Sequence, residues 1–297
     1  MRICSFLPSA TELLYAVGLG DDVVGVSYEC DYPPEARGKP VVVRTRIDQD
    51  ALDSRAIDER VRASLRRRES LYDIDVEALK RLRPDLIVTQ QLCDVCAVGS
   101  SQVTQALGAL PHQPQVLALH PHTLEDALED LRRVGEATQR AAEAERILRS
   151  LRSRLARVEA AVAGAPRPRA FCLEWLDPPM ASGHWVPEQV ERSGGFEVLG
   201  RARQPSHYVT PEEIAAAQPE VLVLMPCGFS IERTQREAAR LTAAPWWRAL
   251  PAARSGRVYL VDGPALFNRP GPRLVDGVEL LAALFHHHEK VPGTVVV

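Results

Sequence analysis

The residues best able to do chemistry are the cysteines: Cys4, Cys30, Cys93, Cys96, Cys172 and Cys227. Cys93-x-x-Cys96 is the sharpest local motif. Cys30 and Cys227 stand in other loops that follow apolar, strand-like runs. Four thiolates on converging loops would hold zinc or an iron–sulfur cluster. A single C-x-x-C pair could instead cycle between thiol and disulfide. The plainer alternative is a set of small, partly buried thiols, and the lack of a second closely spaced pair favours it over a four-cysteine site. Glu29, Asp31 and Asp94 flank the thiols, either supporting them or simply solvated. His184 and His207 are loop histidines able to ligate a metal or cobalt. His286, His287 and His288 fall at the end of a helical pattern, where positive charge is favourable in any case.

A second constellation is aromatic. Tyr28, Tyr32, Trp175, Trp185, Phe229 and Phe267 all fall in loops after strand patterns, although aromatics make up only 5% of the chain. Aromatic faces give a large flat ligand much contact area at little entropic cost. Their alternative role is packing between lobes. Ser9, followed by Thr11 and Glu12, reads first as a helix cap and second as a polar contact for a ligand. No P-loop, dinucleotide fingerprint, zinc-protease motif or nucleophile elbow is present. Without a complete base–nucleophile set, binding without turnover is expected, and a thiol-redox enzyme is the rival.

Those loops need a frame. In the first half, strand patterns at Ile3–Leu7, Val23–Ser27, Val41–Val43, Leu86–Thr89 and Val116–Leu119 alternate with helical patterns at Ala10–Val17, Ile57–Arg67, Val76–Leu82 and Gln102–Leu110. Such alternation predicts a parallel sheet covered by helices on both faces. From Thr123 helical character runs to Gly164, with a break expected near Gly135–Thr138. Gly164-Ala165-Pro166-Arg167-Pro168 ends it. Strand patterns resume at Ala170–Glu174, Val221–Met225 and Val258–Val261, with helical patterns at Pro187–Arg192, Pro211–Ala217, Ile231–Leu241 and Arg273–Phe285. The expectation is an α/β protein of two Rossmann-like lobes joined by one long backbone helix. Its parts are an N-terminal lobe over 1–122, a connecting helical segment over 123–164 and a C-terminal lobe over 165–297. In open parallel sheets ligands bind beyond the carboxyl ends of the strands, which is where the aromatic and cysteine loops lie.

The halves also echo each other. Asp75-Val-Glu77 leads through a short helix to Pro84-Asp85-Leu86; Thr210-Pro-Glu212 leads with the same Glu-to-Pro spacing to Pro219-Glu220-Val221. We read this as a pseudo-repeat, one copy per lobe.

Bulk properties narrow the class. With 297 residues, 45% hydrophobic, the chain can bury two sizeable cores. A net charge of −3 gives no basic footprint for nucleic acid. No run approaches the ~20 apolar residues of a membrane span, so membrane insertion is not expected. The chain enters its first strand at once, with no leader pattern. That predicts a cytoplasmic location, or a periplasmic or surface one if the true start lies upstream.

Taken in order, several segments resemble one family. They are Phe6-Leu7-Pro8-Ser9-Ala10-Thr11-Glu12-Leu13, Val24-Gly25-Val26-Ser27, Asp31-Tyr32-Pro33-Pro34, Leu82-Arg83-Pro84-Asp85-Leu86-Ile87-Val88, Ser193-Gly194-Gly195 and Gly271-Pro272-Arg273. Together they resemble the vitamin B12-binding members of the helical-backbone importer binding proteins, over nearly the whole chain. An extra helical stretch lies near Asp53–Glu69. Tyr28 to Pro33 with Leu92 to Gly99 looks like a branch without a signal peptide. The resemblance implies an interlobe cleft that holds cobalamin or a related corrinoid. It also implies one glutamate per lobe, Glu77 and Glu212, docking on an ABC permease. Tyr28, Glu29, Tyr32, Trp175, Trp185 and Phe229 would then contact the ligand. The family's periplasmic members often carry tryptophan after the third and fourth strands; here those loops hold Arg44-Thr45-Arg46 and Gln90-Gln91-Leu92-Cys93. Arg44 and Arg46 are expected to meet polar edges of the ligand. The alternative ligands are heme, a ferric siderophore, or zinc or iron held by Cys30, Cys93, Cys96 and Cys227.

Overall fold

A computed structural model describes residues 1–90, 100–286 and 293–296. The chain divides into two compact units. The first comprises Met1–Leu52, Ala56–Pro121 and Glu125–Arg149; the second comprises Asp53–Arg55, His122–Leu124 and Ser150–Val297.

The first unit is built from β1 (Ile3–Ser5), α1 (Pro8–Ala16), β2 (Val23–Ser27), β3 (Val41–Thr45), most of α2 (Ser54–Arg67), β4 (Tyr72–Ile74), α3 (Val76–Leu82), β5 (Leu86–Gln90), α4 (Ser100–Gly108), β6 (Gln115–Leu119) and α5 (Leu124–Ala137). Its sheet runs β4-β3-β2-β1-β5-β6. All neighbours are parallel except β4, which lies antiparallel on β3 with Asp73 opposite Arg44. Cys4, Phe6, Val42, Val43, Leu79, Ile87 and Val103 form a core against this sheet.

α5 stops at the break that the sequence predicts. Gln139 takes a left-handed φ of 59°, and α6 (Ala141–Val162) begins directly after it. A Cβ on Gly135 would fall 2.6 Å from the Ala144 Cβ and 3.0 Å from the Arg140 carbonyl, so glycine permits this close turn. α6 is rich in Ala, Arg, Glu and Leu, all strong helix formers, and spans roughly 33 Å at 1.5 Å per residue. The boundary between units falls inside it, at Arg149/Ser150.

The second unit contains β7 (Arg169–Trp175), β8 (Met180–Ala181), α7 (Val186–Arg192), β9 (Phe196–Glu197), β10 (His207–Tyr208), α8 (Pro211–Ala217), β11 (Val221–Leu224), α9 (Ile231–Thr242), α10 (Pro245–Arg248), α11 (Pro251–Arg254), β12 (Val258–Leu260), α12 (Gly263–Leu266), α13 (Leu274–His286) and β13 (Val295–Val296). The sheet order is β10-β8-β7-β11-β12-β13, with β9 beside β7. The central β7, β11 and β12 are parallel, whereas β8, β10 and β13 add antiparallel edges. The expected parallel sheets are therefore mixed. The extra strands of two or three residues are too short to show a period of two.

The sequence echo is repeated in three dimensions. α3 and α8 have the same length of 7 residues. Asp75 caps α3 by accepting from the Ala78 N–H at 2.7 Å. Thr210 and Glu213 form a reciprocal capping box on α8. Each helix ends on a left-handed residue, Arg83 (φ 45°) or Gln218 (φ 46°), placed just before proline. The acid after each proline accepts the backbone N–H of an arginine on the unit's opening strand segment: Asp85 from Arg2 at 2.7 Å, Glu220 from Arg169 at 2.8 Å. Each arginine also donates from its side chain to the last carbonyl of the short helix, Leu82 (2.5 Å) or Ala217 (2.6 Å). The same clasp thus ties helix to sheet in both units.

Candidate functional site

In the first unit the loops at the carboxyl ends of β1, β2 and β3 carry the site candidates. α1 starts immediately after β1 because Pro8, with its fixed φ and missing N–H, suits a first helical turn. Thr11 Oγ1 then lies 2.8 Å from Ser5 Oγ and 3.0 Å from Cys30 Sγ. Cys30 is buried in this hydroxyl cluster. Beyond β2 a pocket of about 250 Å³ is lined by Ser27, Tyr28, Cys30, Asp31 and Arg37 among others. The half-buried Tyr28 hydroxyl donates to Glu29 Oε1 (2.9 Å) and accepts from Gln49 Nε2 (3.4 Å). Tyr32 is 45% exposed.

The two arginines after β3 differ. Arg44 is exposed. Arg46 donates through Nε to Asp73 Oδ1 at 2.8 Å and makes a second bond to the same oxygen, so its guanidinium already holds β4 to β3. Cys93 and Cys96 lie outside the described residues.

In the second unit the aromatic candidates separate into two groups. Trp175, at the end of β7, is half-buried, and its indole N–H donates to the Ser54 carbonyl at 3.1 Å. Its ring meets Phe229 at 5.0 Å. Phe229 is only 1% exposed and is covered on another side by the Arg233 guanidinium, 3.7 Å from the ring centroid. Arg233 is held in turn by Glu237 at 3.2 Å. Trp185 is 4% exposed and donates its N–H to the Phe267 carbonyl at 2.6 Å; Phe267 is itself buried. Of the six candidate aromatics, Trp185, Phe229 and Phe267 pack the interior, and Tyr28, Tyr32 and Trp175 keep open surface.

Cys227 is exposed in the turn after β11. Among the described residues no group of three or more His, Cys, Asp or Glu side chains is arranged to hold a metal ion. Burial pushes the Cys4 thiol up to about 12 and the Cys172 thiol well above its ordinary value. Those two cysteines are buried residues of the central strands β1 and β7, the reverse of an activated thiol.

Glu77 and Glu212 both stand in the first turn of their helix. Both are exposed, and Glu77 pairs with Lys80 at 2.7 Å. Sequence reasoning gave no notice of Gln49, Ser54 and Arg233, which satisfy Tyr28 and flank the aromatics. Their residue types are ordinary, and only the tertiary contacts single them out.

Each unit is α/β and carries its polar and aromatic candidates on loops that follow its strands, where open sheets bind ligands. The family assignment agrees: the periplasmic binding protein model matches residues 3–265, and the chain belongs to that family. It is a substrate-binding protein of the ABC-importer type. Among its relatives, the vitamin B12-binding protein of Vibrio cholerae is 25% identical over 301 residues, covering 94% of this chain and 86% of the relative. The solved periplasmic vitamin B12-binding protein BtuF of Vibrio cholerae matches with a TM-score of 0.69 and 23% identity, covering 98% of each chain. A periplasmic heme-binding protein from Pseudomonas aeruginosa matches with a TM-score of 0.74 and 21% identity, covering 99% of this chain and 97% of that one. Among the described residues no helix is long and apolar enough to cross a membrane.

Proposed function

We propose that this protein binds cobalamin or a close corrinoid and presents it to an ABC permease. The observation that carries the reading is the match to vitamin B12-binding proteins over almost the whole chain. The open aromatic faces of Tyr28 and Tyr32 in the first unit, and of Trp175 in the second, support it, since a corrin ring is broad, flat and largely apolar on its faces. Arg44, exposed on β3 of the first unit, supplies a guanidinium for the amide or phosphate oxygens of such a ligand. Arg46 is the second guanidinium of this stretch, paired with Asp73 at the surface. Phe229 supports the Trp175 ring, while Trp185 is anchored on the Phe267 carbonyl. Glu77 and Glu212 are the permease-docking residues, each a carboxylate on the exposed first turn of a matching helix.

Heme is the second reading, because heme-binding proteins of known structure share the fold over nearly the full chain. Titration of the purified, reduced protein with cyanocobalamin and hydroxocobalamin separates the two, followed by tryptophan fluorescence and the visible corrinoid bands. Saturable one-to-one binding at micromolar affinity or tighter is expected. Absence of binding to both forms would exclude the corrinoid and bring heme forward.

A further inference from the structure

His122 and His184 take no part in the corrinoid reading, yet the second unit brings them together. Their ring centroids lie 6.1 Å apart with planes tilted by 40°. His184 stacks on Trp185 at 5.5 Å and 29°. Its backbone is left-handed, φ 50°, a region that disfavours a residue carrying a Cβ.

Two backbone bonds enforce that conformation. The His184 N–H donates to the Gln204 carbonyl at 2.7 Å, and the Arg203 N–H donates to the His184 carbonyl at 2.9 Å. Gly183 allows the close approach, because a Cβ there would fall 2.3 Å from the Gln204 carbonyl oxygen. His122 is fixed from the same neighbourhood. Glu188, in the first turn of α7, accepts the Leu124 N–H at 2.9 Å and so anchors the segment that carries His122. Strain of this kind persists where surrounding structure over-determines it, and it concentrates at functional sites.

The chemistry of the pair is specific. Among the described residues, the buried His184 Nδ1 has no hydrogen-bond partner. An imidazole nitrogen sits about 2.0–2.1 Å from a bound zinc ion, so two rings sharing an ion have centroids roughly 5–6.5 Å apart. The observed separation falls in that interval.

We propose that His122 and His184 form a two-imidazole site for a late first-row divalent metal ion of the nickel, copper or zinc class, with the remaining coordination positions left to water or an incoming donor. Glu188 is the positioning residue. This site is independent of corrinoid binding and of the cysteines.

Ni²⁺ is the probe, and Trp185 is the reporter stacked against the site. The titration uses a chain carrying His286→Ala, His287→Ala and His288→Ala, so that the C-terminal histidines do not contribute. Saturable quenching of tryptophan fluorescence by one Ni²⁺ per chain at micromolar concentration is expected, with recovery when Zn²⁺ displaces it. His184→Asn keeps a residue tolerant of positive φ while removing the imidazole; His122→Ala removes the other ring from an unstrained backbone. Each is expected to weaken binding at least tenfold with an unchanged far-ultraviolet spectrum. No saturable quenching in the parent chain, or the same affinity in a folded variant of either histidine, would overturn the proposal.

Discussion

Trp175 and Trp185 share a loop pattern in the sequence but not an environment. Trp175 keeps open surface, whereas Trp185 is 4% exposed with its N–H satisfied by Phe267. Trp185→Ala is expected to cost about 3–5 kcal/mol of stability through the cavity it leaves, read from denaturant unfolding. Trp175→Ala should leave most stability intact and weaken corrinoid binding by about 1–3 kcal/mol, read by calorimetry. If Trp185→Ala lost affinity alone, with full stability, its interior role would be wrong. Glu197 makes a separate prediction. Burial pushes its carboxyl up to about 7, against the opposing pull of the Gly200, Leu199 and Cys172 N–H groups. Between the ordinary glutamate value of 4.5 and about 7 the native state holds a proton that the unfolded chain has lost. Stability should therefore fall by on the order of 1–3 kcal/mol as pH rises through that window and stay flat above it. Glu197→Gln should remove the slope, and an unchanged pH profile in that variant would assign the slope elsewhere. Residue types announced aromatic and thiol candidates, but whether a given ring faces solvent or core depends on contacts such as Arg233 over Phe229, which spacing along the chain does not encode.

The paired short helices are the most legible feature at the scale of elements. Asp75, Thr210, Pro84 and Pro219 mark the same caps and stops that the structure shows. Asp75→Ala and Thr210→Ala should each cost about 1 kcal/mol, measurable by thermal unfolding. A loss at only one of the two would break the equivalence of the repeats. The turn between α5 and α6 was legible for a similar reason, because Gly135 and the residues after it interrupt strong helix formers. The arginine clasps were not legible. Arg2 meets Leu82 and Asp85, and Arg169 meets Ala217 and Glu220, contacts set by strand order rather than local pattern. The short antiparallel edges β4, β8, β10 and β13 escaped notice too, since their pairing comes from the neighbouring strand.

For the whole molecule, two similar units on one long helix follow from the alternation of patterns and from the uninterrupted composition of α6. The partner surface rests on the repeat. Glu77→Lys combined with Glu212→Lys should reduce binding to the cognate permease at least tenfold while leaving corrinoid affinity unchanged, as measured on permease-containing vesicles. Retained binding would return both glutamates to the role of first-turn charges that complement a helix dipole. Ligand identity is the central claim, and a competition tests it most directly. The protein is equilibrated with equimolar hydroxocobalamin and hemin, desalted, and its visible spectrum read for the two chromophores. The account predicts about one corrinoid retained per chain with little heme. Retained heme without corrinoid would contradict it.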